Sequence, residues 1–152
     1  MTPRTIRVAV VLEKATWVRA MLDELRRLPL TSLEEFVSDH RNPAAAESFL
    51  RRALEGVLDL GRHILSKGFG EGVVEYKKVA ERLAANGVVG PDTGRRLVEM
   101  AGYRNRLVHF YSEPTHPELY EICVSQSADV EGVVEEIVGW LRQHPERLDA
   151  SL

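Results

Sequence analysis

A chain of 152 residues, 44% apolar and 28% charged, reads as one globular domain over residues 1–152 with enough apolar material for a real core. No apolar run reaches the roughly 18 residues of a membrane span, and no charged-then-apolar leader with a small-residue cleavage site opens the chain, so a soluble, cytoplasmic protein is expected. A net charge of −3 argues against a broad electrostatic grip on nucleic acid, although a small basic cleft would still bind RNA in a salt-dependent way.

In chain order, Val10, Trp17, Met21 and Leu25, flanked by Val18 and Leu22, recur at helical spacing and predict a helix from Pro3 to Leu28. Thr2 is its cap, Pro3 suits its first turn and Pro29 ends it. The apolar run Ile6 to Leu12 is part of this core helix, and Trp17 and Met21 read as core. Ser32-Leu33-Glu34-Glu35 is a capping box for a short helix that carries Phe36 and Val37 and stops before Asp39. Asn42 as N-cap and Pro43 at the first helical position open the longest segment, about 43 to 66. Its Phe49, Leu50, Ala53, Leu54, Val57, Leu58, Gly61, Ile64 and Leu65 make a broad apolar stripe, so this is the expected central helix. Arg51 and Arg52 fall off the stripe and are expected in solvent. Gly68, Gly70 and Gly72 fit a C-cap and turn better than a phosphate cradle.

A third helix, about 72 to 86, sets Val73, Tyr76, Val79, Ala80 and Leu83 on one face and stops at Asn86-Gly87, after which Val88 and Val89 pack back. Gly90-Pro91-Asp92-Thr93 opens the next helix, where Leu97, Met100 or Ala101, Arg104, Val108 and Tyr111 line one side. Gly102 inside it is tolerable if another backbone or a substrate comes close. After Glu113-Pro114 the last helix runs from about Pro117 to Gln143, and His144 to Leu152 is a frayed tail. Cys123 on that last helix is the single cysteine, which excludes an intramolecular disulfide and reads as a buried thiol. Without HExxH, CxxC or clustered carboxylates, no metal or cofactor is expected. The fold class is all-α: an up-and-down bundle of four long helices plus a short extra helix.

The chemistry concentrates in Arg104-Asn105-Arg106-Leu107-Val108-His109-Phe110-Tyr111. If this stretch is helical, Arg104 and Tyr111 lie within roughly 20° of each other, Asn105 and His109 form an i,i+4 pair able to hydrogen-bond, and His109 sits roughly 140° around from Arg104. Both would meet one substrate only if the Arg side chain bends round or a second subunit contributes, which favours a site at an interface. An imidazole takes and returns a proton near neutral pH, and a guanidinium holds a phosphate oxygen without losing charge. Together they suit metal-free attack of a ribose hydroxyl on the neighbouring phosphate, leaving a cyclic phosphate and a free hydroxyl. Such a site cleaves RNA and spares DNA, which lacks that hydroxyl. Arg95, Arg96 and Arg106 add positive charge and are weaker candidates for RNA contact.

The spacing R-x-x-x-x-H-x-Y, with Asn after the Arg, resembles the signature of the HEPN superfamily and specifically of the HepT-like ribonuclease toxins. The order of segments from about Asn42 to Leu141 is similar to that family as well. The resemblance implies a homodimer with two motif helices facing each other across a cleft. It also implies inhibition by a small MntA-like nucleotidyltransferase antitoxin that transfers AMP from ATP to the motif tyrosine. Carried over, Arg104 and His109 are the catalytic pair, Asn105 the polar support and Tyr111 the modification acceptor. Two plainer functions compete: a non-catalytic HEPN module that binds nucleotide or scaffolds a nucleotidyltransferase, and a helical dimerisation domain in which Arg104 only bridges to a carboxylate.

Overall fold

The longest helix organises the rest. A computed structural model describes residues 6–149, running β1 (Ile6–Arg7), α1 (Val8–Arg26), α2 (Leu33–Val37), α3 (Arg41–Phe69), α4 (Tyr76–Ala85), α5 (Pro91–Val108), α6 (His116–Gln143) and β2 (Leu148–Asp149). Single 3-10 turns follow α5 and α6. The α3 helix packs against α1, α4, α5 and α6. Leu50, Leu54, Val57, Leu58, Leu60, Ile64 and Leu65, all fully buried, form its inner face. The fold is all-α, with α1, α3, α5 and α6 as the long members, α2 as the short extra helix, and α4 reduced to ten residues. Among the described residues no helix is long and apolar enough to cross a membrane.

Local chemistry sets several boundaries. Ser32 Oγ accepts a hydrogen bond from Glu35 N at 3.1 Å, the predicted cap of α2. At the end of α3, Gly70 adopts φ 66° and Glu71 N donates to Leu65 O at 2.9 Å, a left-handed glycine closure of the helix. Gly68 lies against β1: a Cβ there would sit 2.5 Å from Ile6 Cδ1. Gly87, at φ 75°, ends the turn after α4. The start of α5 has no cap from its own side chains. It is capped across the bundle by Glu136 of α6, which accepts from Gly90 N and Thr93 Oγ1, each at 2.9 Å. Cys123 is buried, and burial pushes its thiol up to about 12.

The structure corrects other boundaries. The first helix begins at Val8 rather than at Pro3, because Ile6 and Arg7 are extended and pair in parallel with Leu148 and Asp149. Thr2 and Pro3 lie outside the described residues. The segment from His144 is not a frayed tail over its described length. The His144 ring stacks on Trp140 at 4.5 Å. Arg147 donates to Gly68 O and lies 4.2 Å from the Phe69 ring centroid, which presents Leu148 to Ile6. The third helix starts at Tyr76, since Arg62 draws the carbonyls of Val73 and Val74 out of any helical turn. The central helix starts at Arg41 and extends to Phe69, so Asn42 and Pro43 fall inside its first turn. Trp17 leaves the buried face of α1, which is formed by Val11, Ala15, Val18, Met21, Leu22 and Leu25.

The β1 clasp is expected to respond to acid through His63. His63 Nε2 accepts from Arg7 N at 3.2 Å, which only an imidazole lacking a proton on that nitrogen can do. Burial lowers the His63 pKa from 6.5, and the charges of Lys14, Lys67 and Arg7 lower it further. The folded state therefore favours the neutral ring. The stability this contributes is fully present above the unfolded value near 6.5 and is lost as pH falls through the lower folded value. We expect the thermal midpoint of the native chain to fall more between about pH 7 and about pH 5 than that of His63→Gln, which keeps an acceptor without titrating. Parallel curves for the two proteins would refute this role.

Candidate active site

The α5 helix ends at Val108, not at Tyr111 as a continuous motif helix requires. His109 is extended at φ −112°, ψ 100°, and Phe110–Ser112 form a 3-10 turn. The turn is held from both sides. Ser112 N and Oγ donate to His109 O at 2.9 and 3.1 Å. Arg106 donates through Nε to Ser112 O at 3.1 Å and through both terminal nitrogens to Glu118, each at 2.7 Å. That fork keeps the Glu118 carboxyl below its usual range. Glu118 N in turn donates to Thr115 Oγ1 at 3.3 Å, capping α6 two residues past the helix-breaking Glu113-Pro114. Beneath the turn, burial, the Glu113 charge and a hydrogen bond to Glu113 raise the pKa of Glu47, against the pull of Arg51 and His116.

The His109 ring faces solvent and lies 5.6 Å from the Tyr111 ring, tilted by 30°. Tyr111 is 80% exposed. The helical geometry expected of the motif therefore fails past residue 108, and no Asn105–His109 hydrogen bond forms among the described residues. Val108 and Tyr111 leave the buried side, where Leu107 takes over. A Cβ added at Gly102 would meet nothing within 4 Å among the described residues beyond its own stretch of helix.

Arg104 turns the other way, toward α3 and α4. Its Nε and a terminal nitrogen bond Glu55 Oε2 at 3.0 and 2.9 Å, and its other terminal nitrogen donates to Asn105 Oδ1 at 3.4 Å. Glu55 also accepts from Arg51 at 2.8 Å. The Arg104 guanidinium lies 4.8 Å from the Tyr76 ring centroid, and that of Arg62 4.7 Å from it. Tyr76 Oη donates to Asp59 at 2.8 Å, and burial together with that hydrogen bond pushes its phenol up to about 12 against the two cations. Arg104, Asn105, Tyr76 and Lys77 line a hollow of about 390 Å3 open to solvent. The site thus holds an oriented cation in one wall and an exposed imidazole beyond the end of the same helix. No hydrogen bond or ion pair joins Arg104 and His109 among the described residues.

Sequence reasoning missed Glu55, Asp59 and the role of Tyr76. Glu55 left one local trace, its i,i+4 spacing from Arg51. Its pairing with Arg104 spans 49 residues and has no periodic signature. Of the weaker candidates, Arg106 is committed to the turn and Glu118. Arg95 pairs with Asp92, and it and Arg96 are exposed near the start of α5, about 12 to 14 Å along the helix from Arg104. Neither lines the hollow at Arg104.

The family described as "Ribonuclease HepT-like" matches residues 18–137. The tRNA nuclease HepT of Aphanizomenon flos-aquae (strain 2012/KM1/D3) is 28% identical over 93 residues, 60% of this chain and 63% of the relative, so the match spans less than two thirds of that protein. Among solved structures, a tri-AMPylated Shewanella oneidensis HEPN toxin in complex with MNT antitoxin aligns with a TM-score of 0.77 at 18% identity, covering 86% of this chain and 97% of that one. The cytosolic protein YutE of unknown function from Bacillus subtilis aligns with a TM-score of 0.73 at 18% identity, covering 88% and 90%. At these identities the solved structures establish the shared fold.

Proposed function

The chain belongs to the ribonuclease HepT-like family, and from that premise we propose that it is the metal-independent endoribonuclease toxin of a toxin–antitoxin pair. His109 takes the proton from a ribose 2′-hydroxyl, and the freed oxygen attacks the adjacent phosphorus. Arg104 stabilises the charge that builds on the five-coordinate phosphate. The bond to the 5′-oxygen breaks, that oxygen acquires a proton, and the products are a cyclic phosphate and a 5′-hydroxyl. The observation that carries this reading is that Arg104 and His109 are both accessible yet diverge within one subunit. A homodimer that sets the exposed His109 of one copy beside the Arg104 cleft of the other brings them to one phosphate, with Asn105 supporting the cation. Native protein incubated with RNA in EDTA is the test. Cyclic phosphate ends are expected, and transfer RNA is the first substrate to assay, in view of the relative's name. Undegraded RNA at every protein concentration would overturn the reading.

The antitoxin is an MntA-like nucleotidyltransferase, and Tyr111 is its acceptor. Its 80% exposure and its place against the His109 ring support this. An AMP group there puts a bulky anion beside the base and repels a phosphate backbone. After incubation with the transferase and ATP, mass spectrometry is expected to locate the added AMP on Tyr111, with cleavage falling in step. Modification at another residue would remove Tyr111 from the scheme. One observation favours the competing scaffold reading: the Arg104 charge is already met by Glu55 at 2.9 Å. That reading expects partner binding without RNA scission.

A further inference from the structure

Trp17 has the strongest unexplained placement. Its periodicity puts it in the core, yet it is 45% exposed. The Cδ1–Nε1 edge of the indole lies close to α3, so that a Cβ on Gly56 would come within 3.2 Å of Cδ1. It borders a hollow of about 640 Å3 between α1 and α3. Lys14 and Asp59 border this hollow and also a second one of about 500 Å3. Arg62 and Val74 are shared between the second and the hollow at Arg104. The three hollows adjoin through these shared residues and together form a trough whose α3 lining runs from Arg52 to Lys67, about 22 Å.

Charge in the trough differs from that of the chain as a whole. The carboxylates in its wall are already matched, Glu55 by Arg51 and Arg104, and Asp59 by Arg62 and the Tyr76 hydroxyl. Lys14, Arg52 and Lys77 then face the trough with Glu13 and Glu75 as the remaining acids. A half-exposed aromatic ring with cations near it is what an unpaired nucleic acid strand uses, base on ring and phosphate on cation, whereas a duplex offers no free base to stack. We propose that this trough binds the single-stranded RNA flanking the scissile phosphate, one base stacking on Trp17 and the backbone passing Lys14, Arg52 and Lys77 toward Arg104. The proposal rests on the ribonuclease reading for its direction, and on Trp17 and the cations for its existence.

The test is titration of the native protein with a single-stranded RNA carrying 2′-O-methyl riboses, which cannot be cleaved. Trp17 emission is expected to be quenched, while the buried Trp140 supplies a constant background. Trp17→Ala should weaken binding about fivefold or more and Trp17→Phe recover most of it. The pair Lys14→Glu and Lys77→Glu should lower the salt dependence of binding by roughly 0.7 for each phosphate no longer neutralised. If Trp17→Ala is poorly folded by circular dichroism, the native quench and the Phe and Glu variants decide. Absence of quenching, with affinities within about twofold of native in the variants, overturns the trough. So does RNA affinity that stays unchanged while Trp17→Ala loses a protein partner. Quenching without cleavage of natural RNA removes the ribonuclease reading and leaves the trough; cleavage without quenching does the reverse.

Discussion

His109→Ala is expected to lower RNA cleavage by more than about a hundredfold while leaving the thermal midpoint almost unchanged. The two parts of this expectation have separate causes. The imidazole faces solvent beyond the end of α5, with the Tyr111 ring beside it at 5.6 Å. The turn that follows is held by backbone and by Arg106, through Ser112 and Glu118, none of which the substitution touches. General-base catalysis contributes roughly a hundred- to ten-thousandfold, so losing the base removes most of the rate without removing the fold. Cleavage by purified native and variant protein, read by the appearance of cyclic phosphate ends in EDTA, checks it. Equal rates would show that proton transfer does not pass through this ring.

Arg104→Ala is expected to lose about a hundred- to a thousandfold in cleavage, the usual effect of removing one donor to a developing oxyanion, with stability changed by no more than about 1 kcal/mol. The small stability effect follows from the network. Glu55 keeps its bond from Arg51 at 2.8 Å, so no carboxylate is left unpaired. Tyr76 keeps Asp59 and Arg62. If Arg104 only braced the bundle, the outcome would be inverted, with a clear loss of stability or of oligomeric state. Arg104→Lys should recover little, because an ammonium cannot both bond Glu55 side-on and present further donors in one plane. Chemical denaturation alongside the cleavage assay separates the two cases. A destabilised Arg104→Ala that cuts at the native rate would reduce Arg104 to a brace.

The order of helices was legible from short-range chemistry. The capping serine of α2, the glycines after α3 and α4, and the apolar stripe of α3 each act within a few residues, and each appears where its pattern places it. The failures share one cause. Trp17 fits the stripe of α1 by period alone, but in the bundle its ring reaches Gly56 of α3 from the edge of the seam and stays 45% exposed. The motif reads as helix through Tyr111. Arg106 fastened to Glu118, and Ser112 returning to the His109 carbonyl, end it at Val108. The residues after His144 look featureless, yet Arg147 finds Gly68 at the end of α3 and Leu148 pairs with Ile6 near the other end of the chain.

The sequence by itself determined the all-α class, the sites of most caps and the presence of Arg104, Asn105, His109 and Tyr111 within eight residues. Periodicity and capping are properties of neighbours along the chain. Only the tertiary structure decided that the guanidinium turns inward to Glu55 and Tyr76 while the imidazole stays in solvent. That divergence depends on partners about 30 and 50 positions away, and no local pattern carries their distance or direction.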